Sequence, residues 1–531
     1  MKRIRSPLPK IALIILAVSL LVLPACSNDK TPDSSPNDSY TIADATGDWG
    51  YPSPYLRYSR GPGYTRMSFI FETLVWKDAA GFVPQLAEEW EYNEAENAYL
   101  FKLRDDVTWH DGEKFTAGDV VFTVEYIKKH PDPFITLIGP SGIKEAVALD
   151  DYTVKLYLEQ SYAPFLNDIA GTMVIFPEHI WQGVADPKSL TGPEAVIGTG
   201  PYTLADYSQE HGTYLYRAYG GYYLGEPAVK EIKFVKISAE MIPAALKDGS
   251  VSAGDIPPEI VAEMEAAGFN VITAPVAWNA KLTINHGKEP LSDKRFRQAL
   301  AYGIDREALV QITQRGHATA GSPGMVPPTS GWYNPDTSQY EYSPEKAREL
   351  LEEMGYGLEG GYFAKDGRQL ELELLASAAF KDVGKFIKQQ LEQLGIKVDF
   401  QTLEAKTVDA KVAAWDFDLS VYGHGGLYEP SILKRVITDD GFNSARYTSS
   451  EELNRLLEAQ LHEMNPDKRK ALVYRIQELY AADLPALTLY YPKSYWAHDG
   501  KVNLYYTRDG IASGVPIPLN RMSFVKQEPG H

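Results

Sequence analysis

Cys26 is the only cysteine in 531 residues. No disulfide can form within the chain, so its folded state must be held by burial of apolar surface. The position of that thiol narrows the problem further. Lys2, Arg3, Arg5 and Lys10 make a basic start, and the thirteen residues from Ile11 to Leu23 are almost wholly apolar. Such a run is too short for a permanent membrane span and suits the h-region of a signal peptide, expected over 1–25. Small Ala25 directly precedes Cys26. Residues 26–40 are polar, rich in Pro, Ser and Asp, and without apolar periodicity, which reads as a flexible tether.

The length exceeds what one core usually supports, so at least two domains are expected. Hydrophobic residues at 44% and aromatics at 12% describe a globular chain. A net charge of −19 argues against nucleic acid and against broad adhesion to anionic lipid. The 34 Tyr and 9 Trp exceed what a core alone needs, which points to a cleft that is wet on one side.

Helical and strand patterns alternate along the chain. Ser68–Asp78 carries an apolar stripe that predicts a helix, and Ala98–Trp109 alternates like a strand. Thr116 followed by Asp119 predicts a capping box, with Val120, Val121, Val124 and Ile127 on one face. Thr153–Gln160 is another alternating strand. Ser343 before Pro344 starts a helix that stops at Gly355. Ile387, Leu391 and Leu394 share a helical face that ends at Gly395 and feeds an alternating strand. The mixture indicates an α/β protein.

Several segments, in order, resemble one family. "LPAC" at Cys26 is similar to the lipobox of bacterial lipoproteins, which implies cleavage before Cys26 and lipidation of its sulfur; an ordinary signal peptide with an incidental cysteine is the alternative. Leu86, Ala87 and Trp90, then Trp109, Asp111, Gly112, Phe115, Thr116, Ala117, Asp119, Val120 and Phe122, match a pattern of the peptide/nickel (family 5) solute-binding proteins of ABC importers. Ile175–Trp181, Gly198–Leu204, Lys288–Val310, Ser343–Tyr356 and Met464–Pro492 continue the likeness. Most of these motifs are structural: Gly198–Leu204 as a tight lead into a strand, and the stretch through Ala299 and Gly303 as an amphipathic helix.

The resemblance implies an α/β, two-lobed periplasmic-binding-protein-like fold with an extra inserted domain and a hinge between the lobes. Lobe I is expected over 41–75, 190–285 and 500–531, the inserted domain over 76–189, and lobe II over 286–499. It also implies a lipid-anchored monomer at the extracytoplasmic face of the membrane. Ligand would close between the lobes and pass to ABC permease and ATPase subunits, with no cofactor. A sensing lipoprotein of the same fold remains open.

The ligand is less determined. Peptide-binding members hold the peptide amine with an acidic residue, and the matching position here is Gly426. Glu429 and Asp418 lie near without matching. Trp415, Tyr422, Gly425, Gly426 and Tyr428 are candidate ligand contacts in the same segment. The glycines around His424 predict an exposed imidazole, and Arg57, Arg60 and Arg66, with Tyr64, could fork a ligand carboxylate. Peptide, a nickel–chelator complex and an oligosaccharide stand as ligand classes; His424 would matter as a metal contact only for the second. No His/Asp/Glu cluster has metal-ligand spacing. No GxSxG, HExxH or phosphate loop occurs, so a secreted hydrolase has no motif behind it.

Overall fold

A computed structural model describes residues 38–58, 61–131, 142–276, 278–439, 441, 443–512 and 514–525. Cys26, the expected signal peptide and Arg60 lie outside the described residues. No helix among the described residues is long and apolar enough to cross a membrane.

Two large sheets organise the chain. The first runs in the order Asn270–Thr273, Tyr495–His498, Ala253–Ile256, Ser39–Asp44, Glu231–Lys236, Thr213–Ala218, Tyr202–Ser208. The second runs Ala318–Ala320, Ala486–Pro492, Trp278–Ile284, Leu419–Gly425, Glu371–Ser377, Lys397–Leu403. Both mix parallel and antiparallel pairs. A third, four-stranded antiparallel sheet is built from Ala87–Asn93, Ala98–Leu103, Thr153–Leu158 and Ile143–Asp150.

The chain passes between the large sheets after Thr273 and again after Pro492. The two crossings run side by side, with the Ala274 N–H donating to the Ser494 carbonyl at 2.8 Å. Two adjacent crossing strands are what a hinge needs: they bend together while each sheet keeps its own core. The sequence-based limits at 285 and 499 differ from these crossings. Trp278–Ile284 pairs within the second sheet and Tyr495–His498 within the first. Trp278–Ile284 is buried on both faces, so its residues do not reveal which sheet it joins.

Each sheet has its own apolar core. Ile42, Phe69, Phe234 and Phe524 belong to a cluster that continues through Trp76 and Trp109 beneath the four-stranded sheet. Leu282, Leu300, Leu374, Ile387 and Val421 belong to the core of the second. Fully burying each such side chain stabilises the fold by about 1.5–3 kcal/mol. The C-terminal segment returns to the first core, where the Arg521 guanidinium lies 3.6 Å from the Trp76 ring centroid and donates to the Ser68 carbonyl at 3.0 Å.

Local signals fare well where they are chemical. Thr116 and Asp119 form a reciprocal capping box on helix Ala117–Lys129. Ser343 caps Pro344–Glu353, and Gly395 ends Lys381–Leu394 in the left-handed region at φ 107°. The expected helix over Ser68–Asp78 does not form. Helix Gly61–Ser68 stops at its start, and Val75–Lys77 is a short strand. Phe69, Ile70, Phe71, Leu74, Val75 and Trp76 are all buried, so the run threads the core instead of presenting one stripe to it. The amphipathic helix expected through Gly303 divides into Lys294–Gly303 and Arg306–Thr313, with Asp305 capping the second.

Candidate functional site

A cavity of about 920 Å³ lies between the two lobes. Gly61, Pro62, Tyr162, Asp168 and Trp496 reach it from one side, and Trp278, Phe380, Tyr422, Glu429 and Arg435 from the other. Its size is at the upper end of small-ligand sites, about 300–1,000 Å³.

The apolar wall is an aromatic pair. Trp278 and Phe380 stack nearly parallel, with centroids 6.0 Å apart and an interplanar angle of 5°. Trp278 starts the central strand of the second sheet, and its indole crosses the neighbouring strand at Gly423. A Cβ at Gly423 would sit 2.4 Å from Trp278 Cζ2 and 2.2 Å from the Asn279 carbonyl oxygen. Gly426, which also lines the cavity, holds φ +83°, a conformation that glycine adopts without steric cost.

Among the described residues, the polar wall carries three carboxylates and one guanidinium. Asp168 sits in the single π-turn Leu166–Ala170 and accepts from Tyr162 Oη at 2.7 Å and Asn167 Nδ2 at 2.7 Å. Burial raises its pKa, and the charge of Glu429 across the cavity adds to the rise. Glu429 pairs through Oε1 with Arg469 and accepts from the Ser431 N–H at 3.2 Å. Asp409 accepts from Tyr422 Oη at 2.7 Å. Arg435 stands on helix Ser431–Thr438.

A clasp beside the cavity joins the lobes. The Ala163 N–H donates to the Leu461 carbonyl at 2.7 Å, and Ser161 Oγ donates to the His462 carbonyl at 2.8 Å. The His462 ring meets the Ser161 carbonyl in return. Tyr162, between these residues, faces the cavity.

The candidates read from sequence divide sharply. Tyr422, Gly425 and Gly426 line the cavity. Tyr64 and Arg66 do not. Tyr64 is buried and donates to the Thr172 carbonyl at 2.9 Å, while Arg66 pairs with Asp44 and lies 4.1 Å from the Phe234 ring centroid. Arg57 is buried and is also outside the lining. Trp415 closes helix Ala405–Ala414 beneath Arg446, and Tyr428 is buried; neither lines the cavity.

His424 corrects an expectation. Its side chain is 3% exposed, not free, and is absent from the lining. The strand Leu419–Gly425 continues through the glycines and pairs His424 with Asn279, placing the imidazole in a buried polar layer with Asn279 and Lys281. Burial and the neighbouring Lys281 charge depress its basicity far below the usual histidine range. Among the described residues no group of three or more His, Cys, Asp or Glu could hold a metal ion.

Sequence reasoning missed Asp168, Arg435, Trp278, Phe380 and Trp496. Each is distant in sequence from most of its partners and carries no motif. Glu429 was legible only as an acid near Gly426.

Comparison with known proteins places this architecture. The chain is 26% identical over 540 residues to the oligopeptide-binding protein AppA of Bacillus subtilis, covering 94% of this chain and 95% of that protein. It is 30% identical over 347 residues to the dipeptide-binding protein of Escherichia coli, a stretch spanning 61% of this chain and 63% of that protein. The crystal structure of NikZ from Campylobacter jejuni in complex with Ni(L-His) superposes with a TM-score of 0.74 at 23% identity, covering 90% of this chain and 98% of that one. The family model described as "Bacterial extracellular solute-binding proteins, family 5 Middle" matches residues 81–432. The chain belongs to the family 5 bacterial extracellular solute-binding proteins.

Proposed function

We propose that the chain captures a short peptide between its lobes and delivers it to the permease of an ABC importer. The observation that carries this reading is the cavity itself: about 920 Å³, with carboxylates contributed from both sides, Asp168 from one and Glu429 from the other. An acidic lining suits the ammonium of a peptide, and the Trp278–Phe380 pair offers an apolar seat for a side chain. Binding between hinged lobes excludes water and fixes a closed shape, which is what a permease can recognise. The curated relatives named for oligopeptide and dipeptide binding agree with this class of ligand.

The nickel–chelator reading loses the support that His424 lent it, because that side chain does not face the cavity. Thermal shift separates the classes, since a ligand that binds only the native state raises its melting temperature. Peptide pools should raise it, and oligosaccharides should not. A rise with sugars alone would overturn the peptide reading.

The chain acts as a monomer moored outside the cytoplasm by lipid on Cys26, whose tether keeps it at high effective concentration near the permease. Replacing Cys26→Ser should move the protein from the membrane fraction to the soluble fraction. Retention in the membrane fraction would contradict the anchor.

A further inference from the structure

We propose that the guanidinium of Arg435 seats a carboxylate of the ligand, an inference that rests on the peptide reading above. Arg435 is half-buried and lines the cavity. It makes no hydrogen bond or ion pair with any described residue. The contrast with the other enclosed arginines is sharp. Arg66 pairs with Asp44, and Arg469 with Glu429. Arg297 donates to the carbonyls of Asp483 and Leu291 at 2.8 Å each, Arg306 to that of Tyr340 at 2.9 Å, and Arg521 to that of Ser68 at 3.0 Å.

Enclosing a guanidinium is costly unless its donors are bonded. The five donors of Arg435 form a planar fork that matches a carboxylate in two parallel hydrogen bonds. The other acidic side chains of the lining, Asp168, Asp409 and Glu429, offer an anion no cationic partner. Among the described residues of the lining, Arg435 is therefore the cation on which a ligand carboxylate can rest. Ser431 and Ile432 share its helix face and the cavity, at the i−4 and i−3 spacings of one helical side. A zwitterionic ligand would then lie in one direction, its carboxylate at Arg435 and its ammonium toward the carboxylates.

The test uses isothermal titration calorimetry on wild type, Arg435→Gln and Arg435→Lys. The probes are a tripeptide pool with free C-termini, the same pool as C-terminal amides, and nickel with L-histidine. Ligand-free melting curves confirm that each variant folds. The expected result is at least tenfold tighter binding of the free acids than of the amides by wild type. That preference should vanish in Arg435→Gln and persist weakly in Arg435→Lys, which keeps the charge but loses the fork. Equal binding of acids and amides, or unchanged binding of acids by Arg435→Gln, would overturn the seat while leaving the peptide reading standing. If no peptide binds and nickel–histidine binds wild type but not Arg435→Gln, the seat stands and the peptide reading falls. Failure of every carboxylate-bearing probe to bind would overturn the seat as well.

Discussion

Trp278 reaches across the backbone of Gly423 to lie parallel to Phe380, so a missing side chain on one strand shapes the apolar wall supplied by another. Gly423→Val would place carbon where the indole and the Asn279 carbonyl already lie. Overpacking of this kind costs about 1–3 kcal/mol. Urea denaturation should show that loss, with a change in tryptophan emission, and peptide affinity should fall with it. Wild-type stability and affinity in Gly423→Val would show that the ring pair does not form the wall.

His110 ties two segments that the sequence presents separately. Its Nε2 donates to the Gly200 carbonyl at 2.9 Å, and its Nδ1 accepts from the Gly198 N–H at 3.3 Å. The second bond requires an unprotonated Nδ1, so the pair together requires a neutral ring. Burial pushes its pKa down to about 4 from 6.5. The unfolded chain takes up the proton first, so this contribution to stability is complete above pH 6.5 and is lost as pH falls toward 4. The slope approaches about 1.4 kcal/mol per pH unit inside that window. Chemical denaturation at pH 7, 6 and 5 should show wild type losing more stability than His110→Gln. Parallel losses in the two proteins would contradict the neutral bridge.

Lys281 is a buried cation whose ammonium donates to the Asn443 carbonyl at 2.7 Å. Burial pushes its pKa down to about 7 from 10.5. Between those values the unfolded chain holds the proton and the folded chain releases it, so stability rises with pH across that window. Lys281→Met should therefore stabilise the protein at pH 7, by about 1–4 kcal/mol on the scale of buried charges replaced by apolar groups. Its stability should also vary less than wild type between pH 7 and 9. Melting curves at those two values decide it, and a destabilised Lys281→Met would contradict the prediction.

The clasp beside Tyr162 bears on kinetics. Its bonds join residues 161–163 to residues 461–462 of the other lobe, so parting the lobes there must break them. Ser161→Ala with His462→Ala should speed ligand release with little change in association. The two substitutions remove two bonds, and about 1 kcal/mol per net hydrogen bond corresponds to roughly fivefold for each. Stopped-flow displacement measures it, and an unchanged release rate would show that the clasp does not hold the lobes closed.

The sequence is legible here where the physics is local. Thr116 with Asp119, Ser343 with Pro344, and Gly395 act through atoms within four residues, and each forms the expected cap. Reading fails where burial decides. Ser68–Asp78 is buried on nearly every side, Glu72, Thr73 and Lys77 included, because it threads the core, and its periodicity carries no information about helix or strand. His424 looks exposed between glycines, yet strand pairing with Asn279 buries it. The cavity is the least legible feature. Asp168 and Glu429 are far apart in the chain and meet only in the cavity lining, and nothing in the sequence around Arg435 sets it apart from other arginines. The family's ordered motifs reveal the architecture because they are caps, turns and packing glycines. They leave the ligand unnamed for the same reason.

The central claim is that a small polar solute is held intact between the lobes. Native mass spectrometry of the purified full-length protein tests it most directly, with fragmentation of whatever leaves on unfolding. The predicted result is a non-covalent companion released whole and sequenced as a short peptide. A companion that is a sugar, or a peptide cleaved on incubation with the protein, would contradict it.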